Sequence, residues 1–453
     1  MNMIQLNYDK GTILIRGSMR IPNSYWDSRS NTYRALAMHY RNIIDYLRRS
    51  DIEFSDEVLD LIPCPTLSSN LKLRDYQRDA LKTWIDTGRN GVIVLPTGAG
   101  KTVIAIEAMA RFSMPTLVVV PTLDLVDQWR TKLSEEFNIE IGVYGGGEHI
   151  LRPITVATYD TAYLRAEELG NKFYFMVFDE VHHLPSSGYM QIAEMYATPC
   201  RLGLTATYER EDGLHEKLTN LVGGKIFEMS VEKLAGKHLS NYTLKRVKTE
   251  LTPEEVEEYE KQHHIYTNYL RTHNIVLRTP KDFQYFVMRT GRDAKAREAL
   301  LARHRARMIA LNSRSKLDKL REILEKHHSD RILIFTEHNL LVQEISKMFL
   351  VPSITHKTPR DERTEILDNF RSEKYRVIVT SKVLDEGIDV PEANVAIVLS
   401  GSGSSREFIQ RLGRILRKKE GKNAIMYEVV SRKTSEVGTS RKRRMGLGAN
   451  ASI

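Results

Sequence analysis

The sequence predicts an α/β chain: two lobes built on parallel sheets, a small mixed α+β domain ahead of them, and a helical insertion between the lobe cores. Three observations carry that reading. Short β-rich runs alternate with helical stretches from about residue 90 to 239, a charged helical stretch follows from Thr252 to about Arg314, and the alternation then resumes. Strands separated by helix-length segments must pair in parallel, with helices covering both faces of the sheet. At 453 residues the chain has room for roughly two to four units, each able to bury its own core.

Residues 1–65 are expected to form the first unit. IQLNYDKGTILIRG predicts a hairpin turning at Asp9-Lys10-Gly11, TYRALAMHYRNIIDYLRR predicts a helix from Thr32 to Arg49, and Pro63 and Pro65 end the unit. Residues 66–230 are the first lobe, whose strands are GVIVLPT, TLVVVPT, EIGVYGG, ITVATYD, FYFMVFDE and RLGLTAT. Residues 231–430 are the second lobe, with strands RILIFTE, YRVIVTS, ANVAIVLS and NAIMYEVV after an insertion over about 250–314. In TPEEVEEYEK, Thr252 reads as an N-cap with Pro253 at the first helical position and acidic residues in the first turn. The segment from Ser230 to Leu239 reads as a linker that would permit a large swing, and 431–453 as a flexible basic tail.

With 41% hydrophobic and 28% charged residues, and no apolar run near the ~18 residues of a membrane span, the composition is that of a soluble protein. The alternating N-terminus is not a secretory signal, so a cytoplasmic or nuclear chain is expected. Cys64 and Cys200 have no pairing pattern and are expected to be buried small apolar residues. A net charge of +9 favours a polyanionic partner without identifying one.

VIVLPTGAGKT sets Thr97, Gly98, Ala99, Gly100, Lys101 and Thr102 between an apolar strand and a helical run. A loop at that junction aims backbone N–H groups at phosphates, with Lys101 reaching the β/γ oxygens and Thr102 holding Mg²⁺. Leu95 stands where the usual phosphate-loop pattern has its first glycine. Downstream, FYFMVFDEVHH ends an apolar strand in Asp179, to bind Mg²⁺ through water, and Glu180, to polarise the attacking water. Together these make a nucleoside triphosphatase using ATP and Mg²⁺. His182 and His183 lack a third ligand at metal spacing and are not read as a metal site.

LPTGAGKT, FDEVHH and LTAT, followed by VLDEGIDVP and QRLGRILR, resemble in order the motifs of superfamily 2 helicases and translocases over about Leu71 to Val430. The resemblance implies two RecA-like lobes with ATP in the cleft between them and nucleic acid running across both. It implies that Gln77 of LRDYQ bonds adenine with Arg74 near it, that Pro121, Thr122 and Thr158 meet the nucleic-acid backbone, and that Thr205, Ala206 and Thr207 couple ATP state to lobe movement. For any one of the backbone-contact residues, an ordinary strand end is an equal reading. In the second lobe, Thr336 and Thr380 would meet phosphates, while Glu386, Gly387 and Asp389 would approach the ribose and the interlobe cleft. Gln410 would face the γ-phosphate, with Arg414 and Arg417 as arginine fingers on one helix face.

Arg210, Glu211 and Asp212 follow the coupling motif directly and resemble the RED motif of the XPB helicase family. Three consecutive charges cannot sit unpaired in a core, so a rim is expected where Arg210 meets a phosphate and the acids wedge or pair across a junction; an exposed loop of no special role is the alternative. DEVHH, YGGGE at Tyr144 to Glu148 and the helical insertion agree with that family, whose thumb the insertion resembles. Its basic run RTGRDAKAREALLARHRAR is either a phosphate-contacting helix or a solvated face. The N-terminal unit takes the place of the family's damage-recognition domain; Tyr25 and Trp26 are base-stacking candidates there, although the core is the expected place for Trp26. Without the long extensions of eukaryotic members, the chain resembles the compact archaeal form.

The expected function is therefore an ATP-dependent DNA helicase opening forked or distorted duplex 3′ to 5′ in nucleotide excision repair and transcription initiation. A duplex translocase and an ATP-gated DNA-binding switch are the alternatives. The resemblance further implies a nuclease repair partner, a monomeric state and work at the nucleoid.

Overall fold

β1 (Ile4–Asp9) and β2 (Thr12–Arg16) pair antiparallel from Asp9↔Thr12 back to Gln5↔Arg16, closing the expected hairpin. Lys10 and Gly11 both take positive φ, 46° and 86°, as a tight two-residue turn demands. The computed structural model describes residues 3–444 apart from 18, 211, 235–236, 239, 382–392, 402–403, 405–407, 409–410, 412 and 414–422. The chain divides into two compact units, Met1–Ser230 and Val231–Ile453.

The first unit opens with a sheet ordered β3-β4-β2-β1-β5, where β3 is Tyr25–Asp27, β4 Thr32–Leu36 and β5 Phe54–Glu57. The helix expected over Thr32–Arg49 begins only at Tyr40. Thr32 to Leu36 instead form the strand that covers the free edge of β2, with Ile13 opposite Ala35; the β-forming Thr32 and Tyr33 go to that ladder, and Ile43, Ile44 and Leu47 bury the helix. Trp26 is a correction too: it is 52% exposed on the edge strand, edge-on to Tyr33 with centroids 5.1 Å apart. Cys200 is buried, but Cys64 is only half-buried.

This small sheet is joined to the first lobe. Ala197 sits in its core, and the Tyr8 hydroxyl donates to the carbonyls of Ala166 (3.0 Å) and Met195 (3.1 Å). A Cβ on Gly170 would fall 1.9 Å from that hydroxyl, so only glycine permits the approach.

The lobe's sheet contains β6 (Asn90–Val94), β7 (Thr116–Val120), β8 (Gly142–Gly145), β9 (Glu148–Ile150), β10 (Ile154–Thr158), β11 (Phe175–Asp179), β12 (Cys200–Thr205) and β13 (Lys225–Glu228). Its order is β13-β6-β12-β11-β7-β10-β8-β9, parallel except for the β8–β9 hairpin. β7, β10, β11 and β12 are buried along their whole length, which is why they read as unbroken apolar runs. Because β11 and β12 insert between β6 and β7, the loops after β6, β12 and β11 share one half of the sheet's carboxyl edge. Those after β7, β10 and β8 share the other, and ligands of open parallel sheets bind along this edge.

The second unit's sheet is β14-β19-β18-β15-β17-β16, parallel throughout, from β14 (Asn241–Thr249), β15 (Ile332–Phe335), β16 (Ser353–Ile354), β17 (Val377–Thr380), β18 (Val395–Val398) and β19 (Asn423–Ser431). β14 is absent from the sequence reading because Lys245, Arg246 and Lys248 break up its apolar residues, yet it pairs with β19 over nine residues. Lys245 lies over the Tyr427 ring and Arg246 approaches Glu428 at 3.7 Å, so its charges find partners on β19.

Between β14 and β15 stand the helices Pro253–Thr272, Pro280–Arg289 and Ala294–Leu311. Ala296, Ala299, Ala302, Ala306 and Ala310 form the buried stripe of the third, letting it pack closely on the first. The segment expected as a flexible tail is ordered through Arg444. Glu436–Arg444 is a helix, with Glu436 buried against Lys316 (2.7 and 2.8 Å) and Arg443 buried near Glu428 (3.5 Å). Its polar sequence hid this because its anchors are charges whose partners lie far away in the chain. No helix among the described residues is long and apolar enough to cross a membrane.

Candidate nucleotide site and its link to the charged loop

β6 continues one residue past its end: Leu95 N donates to Thr205 O at 3.0 Å, and its side chain is fully buried. The position is still strand, which explains why leucine serves where the pattern has glycine. The chain then turns through Gly98 (φ 84°) and Gly100 (φ 79°), and Lys101 starts the helix Lys101–Phe112. Thr97 and Gly98 reach the surface, Thr102 lies in the first turn, and Lys101 Nζ rests on the Leu95 carbonyl at 3.2 Å.

The loop is braced from beneath. Gln77 is buried; its Nε2 donates to Ala99 O at 2.9 Å and its Oε1 accepts from Arg74 N at 2.9 Å. Tyr76 donates its hydroxyl to the same Ala99 carbonyl at 2.7 Å, and Arg74 reaches that hydroxyl at 3.3 Å. A Cβ on Gly100 would lie 2.4 Å from Gln77 Nε2. Gln77, expected at the adenine base, is thus engaged here as a support of the phosphate loop.

Asp179 ends β11. Its Oδ2 accepts from the buried Trp129 Nε1 at 2.9 Å, its Oδ1 from Glu180 N at 3.1 Å, and its carbonyl from the Tyr159 hydroxyl at 3.1 Å. Burial first, then the Glu180 charge, push its carboxyl up to about 6 against the opposing pull of Lys101 and the Trp129 bond. Trp129 and Tyr159 escaped sequence reasoning because they lie 50 and 20 residues upstream of Asp179. The indole in VDQW, on the helix Leu123–Phe137, was the available signal.

Glu180 takes the left-handed conformation (φ 48°, ψ 53°) and starts a tight turn over Val181–His183. Its Oε2 is buried without a hydrogen-bond partner and lies 3.4 Å from His182 Nδ1. A buried carboxyl oxygen without a partner, beside the Asp179 carboxyl of raised pKa, fits a hydrated divalent cation and a water. His182, fully buried, sets Nδ1 3.0 Å from Thr205 Oγ1. That hydroxyl donates to Thr207 O (2.8 Å) and accepts from Thr207 N (3.2 Å), so it can only accept from the ring, which places the proton on Nδ1. Ala206 is enclosed between the two threonines.

The charged loop joins the same network. Arg210 grips Asp212 with Nε–Oδ1 at 3.0 Å and Nη2–Oδ2 at 2.7 Å, and its Nη1 donates to the His182 carbonyl. The Arg210 bonds hold the Asp212 carboxyl down at about 2. An Arg210 open to a phosphate is therefore not what this structure presents; its guanidinium is committed inside the unit.

The backbone-contact residues occupy strand ends. Thr122, after Pro121 and β7, caps the helix Leu123–Phe137 through Leu125 N (3.3 Å), and Thr158, at the end of β10, caps the next through Thr161 N (3.2 Å). Thr336 follows β15 and Thr380 ends the neighbouring β17 of the second unit, and both are fully buried. The Thr336 hydroxyl reaches His338 O, and that of Thr380 reaches Ser381 O. In the basic run, Arg303 stacks on Phe283 and Arg307 pairs with Glu337 at 2.7 Å, whereas Arg292, Lys295, Arg297 and Arg305 are exposed. Glu211, Glu386, Gly387, Asp389, Gln410, Arg414 and Arg417 lie outside the described residues.

The chain resembles known proteins along most of its length. Residues 6–58 match the xeroderma pigmentosum group B helicase damage recognition domain, 70–210 the type III restriction enzyme res subunit, and 298–448 the ERCC3/RAD25/XPB C-terminal helicase. The chain is 47% identical to the DNA 3′-5′ translocase XPB2 of Sulfurisphaera tokodaii over 98% of its own length and all of that protein. It is 31% identical to the DNA 3′-5′ helicase XPB of Mycobacterium tuberculosis, over 80% of this chain and 61% of that one. It spans about half (47%) of the yeast XPB/SSL2 subunit of the general transcription and DNA repair factor IIH, at 29% identity. The Hef helicase domain of Pyrococcus furiosus shares the fold, with TM-score 0.56 and 20% identity over 82% of this chain and 98% of that one.

Proposed function

The chain belongs to the XPB family of superfamily 2 DNA helicases, and from that premise we propose that it hydrolyses ATP to drive 3′ to 5′ opening of DNA in nucleotide excision repair and transcription initiation. The observation that carries the reading is the convergence of Lys101, Asp179 and Glu180 at the carboxyl ends of β6 and β11, with coupling Thr205 bonded into the same turn.

The amides of Thr97 to Thr102 receive the phosphates at the positive end of the helix Lys101–Phe112, and Lys101 leaves the Leu95 carbonyl for the β/γ oxygens. Thr102 and Asp179 would hold Mg²⁺, which when bound supplies charge neutralisation on the phosphates. Glu180 orients the attacking water through the oxygen that has no other partner. Gln410, Arg414 and Arg417 are assigned to the γ-phosphate, and Gly387 and Asp389 to the ribose side. Pro121, Thr122, Thr158, Thr336 and Thr380 are assigned to the DNA track through their strand-end backbone. A forked or distorted duplex is the substrate, a nuclease the repair partner, and a monomer at the nucleoid the working form.

ATP turnover by the full chain, measured without nucleic acid and with duplex, 3′-tailed fork and RNA, tests this when strand separation is followed in the same samples. Fork-stimulated turnover with separation is the expected result; stimulation by RNA alone would refute it. A second reading, a duplex translocase, draws support from the full-length relative named a translocase. DNA-stimulated turnover without separation would select it.

A further inference from the structure

Glu180 sits in the left-handed backbone region that a non-glycine residue keeps only when its surroundings hold it, so the surrounding turn must hold it there. Three restraints do so from within the turn: His183 N to Glu180 O at 3.0 Å, Leu184 N to Val181 O at 3.0 Å, and Glu180 N to Asp179 Oδ1 at 3.1 Å. His182 adds a fourth, its Nδ1–H donating to Thr205 Oγ1 at 3.0 Å. The restraint from outside is Arg210, whose guanidinium donates to the His182 carbonyl, with Ser186 Oγ at 3.4 Å on the same nitrogen.

Arg210 is itself oriented. Asp212 takes it in a two-point grip, and Leu214 N fixes Asp212 Oδ1 at 3.1 Å. The Arg210 side chain is largely buried, while that of Asp212 is about half exposed. The loop that carries the charges thus touches solvent with the acid and the nucleotide turn with the base.

We propose that Arg210 is a positioning residue for ATP hydrolysis: gripped by Asp212, it pins the His182 carbonyl and thereby keeps Glu180 in the turn that aims its carboxylate. This rests on the assignment of Glu180 to the attacking water. It also inverts the expectation for the charged loop, since damage to Arg210 should strike turnover first and strand separation only as a consequence.

The test uses the full chain with Arg210→Gln, Arg210→Lys and Asp212→Asn. Amide hydrogen exchange across residues 180–186, without nucleotide or DNA, should speed up by about tenfold or more in Arg210→Gln with the thermal unfolding midpoint unchanged. Lysine can reach one acceptor but not grip two, so Arg210→Lys should fall between, and it serves as the second variant if Arg210→Gln does not fold. At saturating DNA, kcat should drop on the order of 10- to 100-fold in Arg210→Gln, with KM for ATP and DNA affinity within about twofold. Unchanged exchange over 180–186 would overturn the proposal. So would intact kcat with weaker DNA binding and a salt slope reduced by about one, the mark of a phosphate contact. If the parent protein shows no DNA-stimulated turnover, the functional reading fails while the exchange experiment still decides the role of Arg210.

Discussion

Lys101 and Asp179 carry opposite charges into one site, and each makes a prediction at the scale of a single side chain. Lys101→Ala should abolish hydrolysis while leaving DNA affinity by fluorescence anisotropy unchanged, because the ammonium rests on the Leu95 carbonyl beneath the phosphate loop and acts on Asp179; loss of both would indicate misfolding. Asp179 has a carboxyl raised to about 6, so it takes up its proton as pH falls through that value. Cation binding needs the ionised form, of which about a quarter remains at pH 5.5. The Mg²⁺ concentration for half-maximal turnover should therefore rise roughly fourfold between pH 7.5 and 5.5; a flat profile would remove Asp179 from the metal site. The phosphate-loop residues were legible because Gly98, Gly100, Lys101 and Thr102 stand within one short run between an apolar strand and a helix. Trp129 was not, since VDQW marks an indole but not the carboxylate it holds 50 residues downstream.

Elements that hold sites do so through their ends. Gly100→Ala would put a methyl 2.4 Å from Gln77 Nε2 at a φ of 79°, so the phosphate loop must open or Gln77 must leave. Nucleotide affinity should fall at least tenfold in a binding titration, with little change in DNA affinity. In the insertion, Thr252 accepts from Glu255 N at 3.3 Å while Glu255 accepts from Thr252 N at 3.0 Å, a reciprocal cap. Thr252→Ala should cost about 1 kcal/mol by denaturant titration and leave DNA-free turnover intact. This cap was visible as Thr-Pro-Glu-Glu, whereas the helix start at Tyr40 was not. Helical and strand patterns overlap over Thr32 to Leu36, and only the open edge of β2 chose between them.

At the scale of the whole chain, the second unit is closed by its C-terminal helix. Lys316 and Glu436 form a buried pair whose lysine is held below its ordinary pKa because burial outweighs the attraction of Glu436. Neutralising one partner leaves the other charge buried, so Glu436→Gln should destabilise that unit by about 3 kcal/mol in chemical unfolding. Lys316→Met combined with Glu436→Leu should recover most of the loss; an unaffected Glu436→Gln would make the pair dispensable. The sequence by itself determined the strand-helix alternation, the phosphate loop, the acidic strand end and the order of the motifs, because each is written in neighbouring residues. Tertiary structure alone decided that Arg210 turns inward to His182, that a charged segment becomes strand β14, and that Glu436 anchors in the core. A charge in sequence states only that a partner is needed; packing supplies the partner.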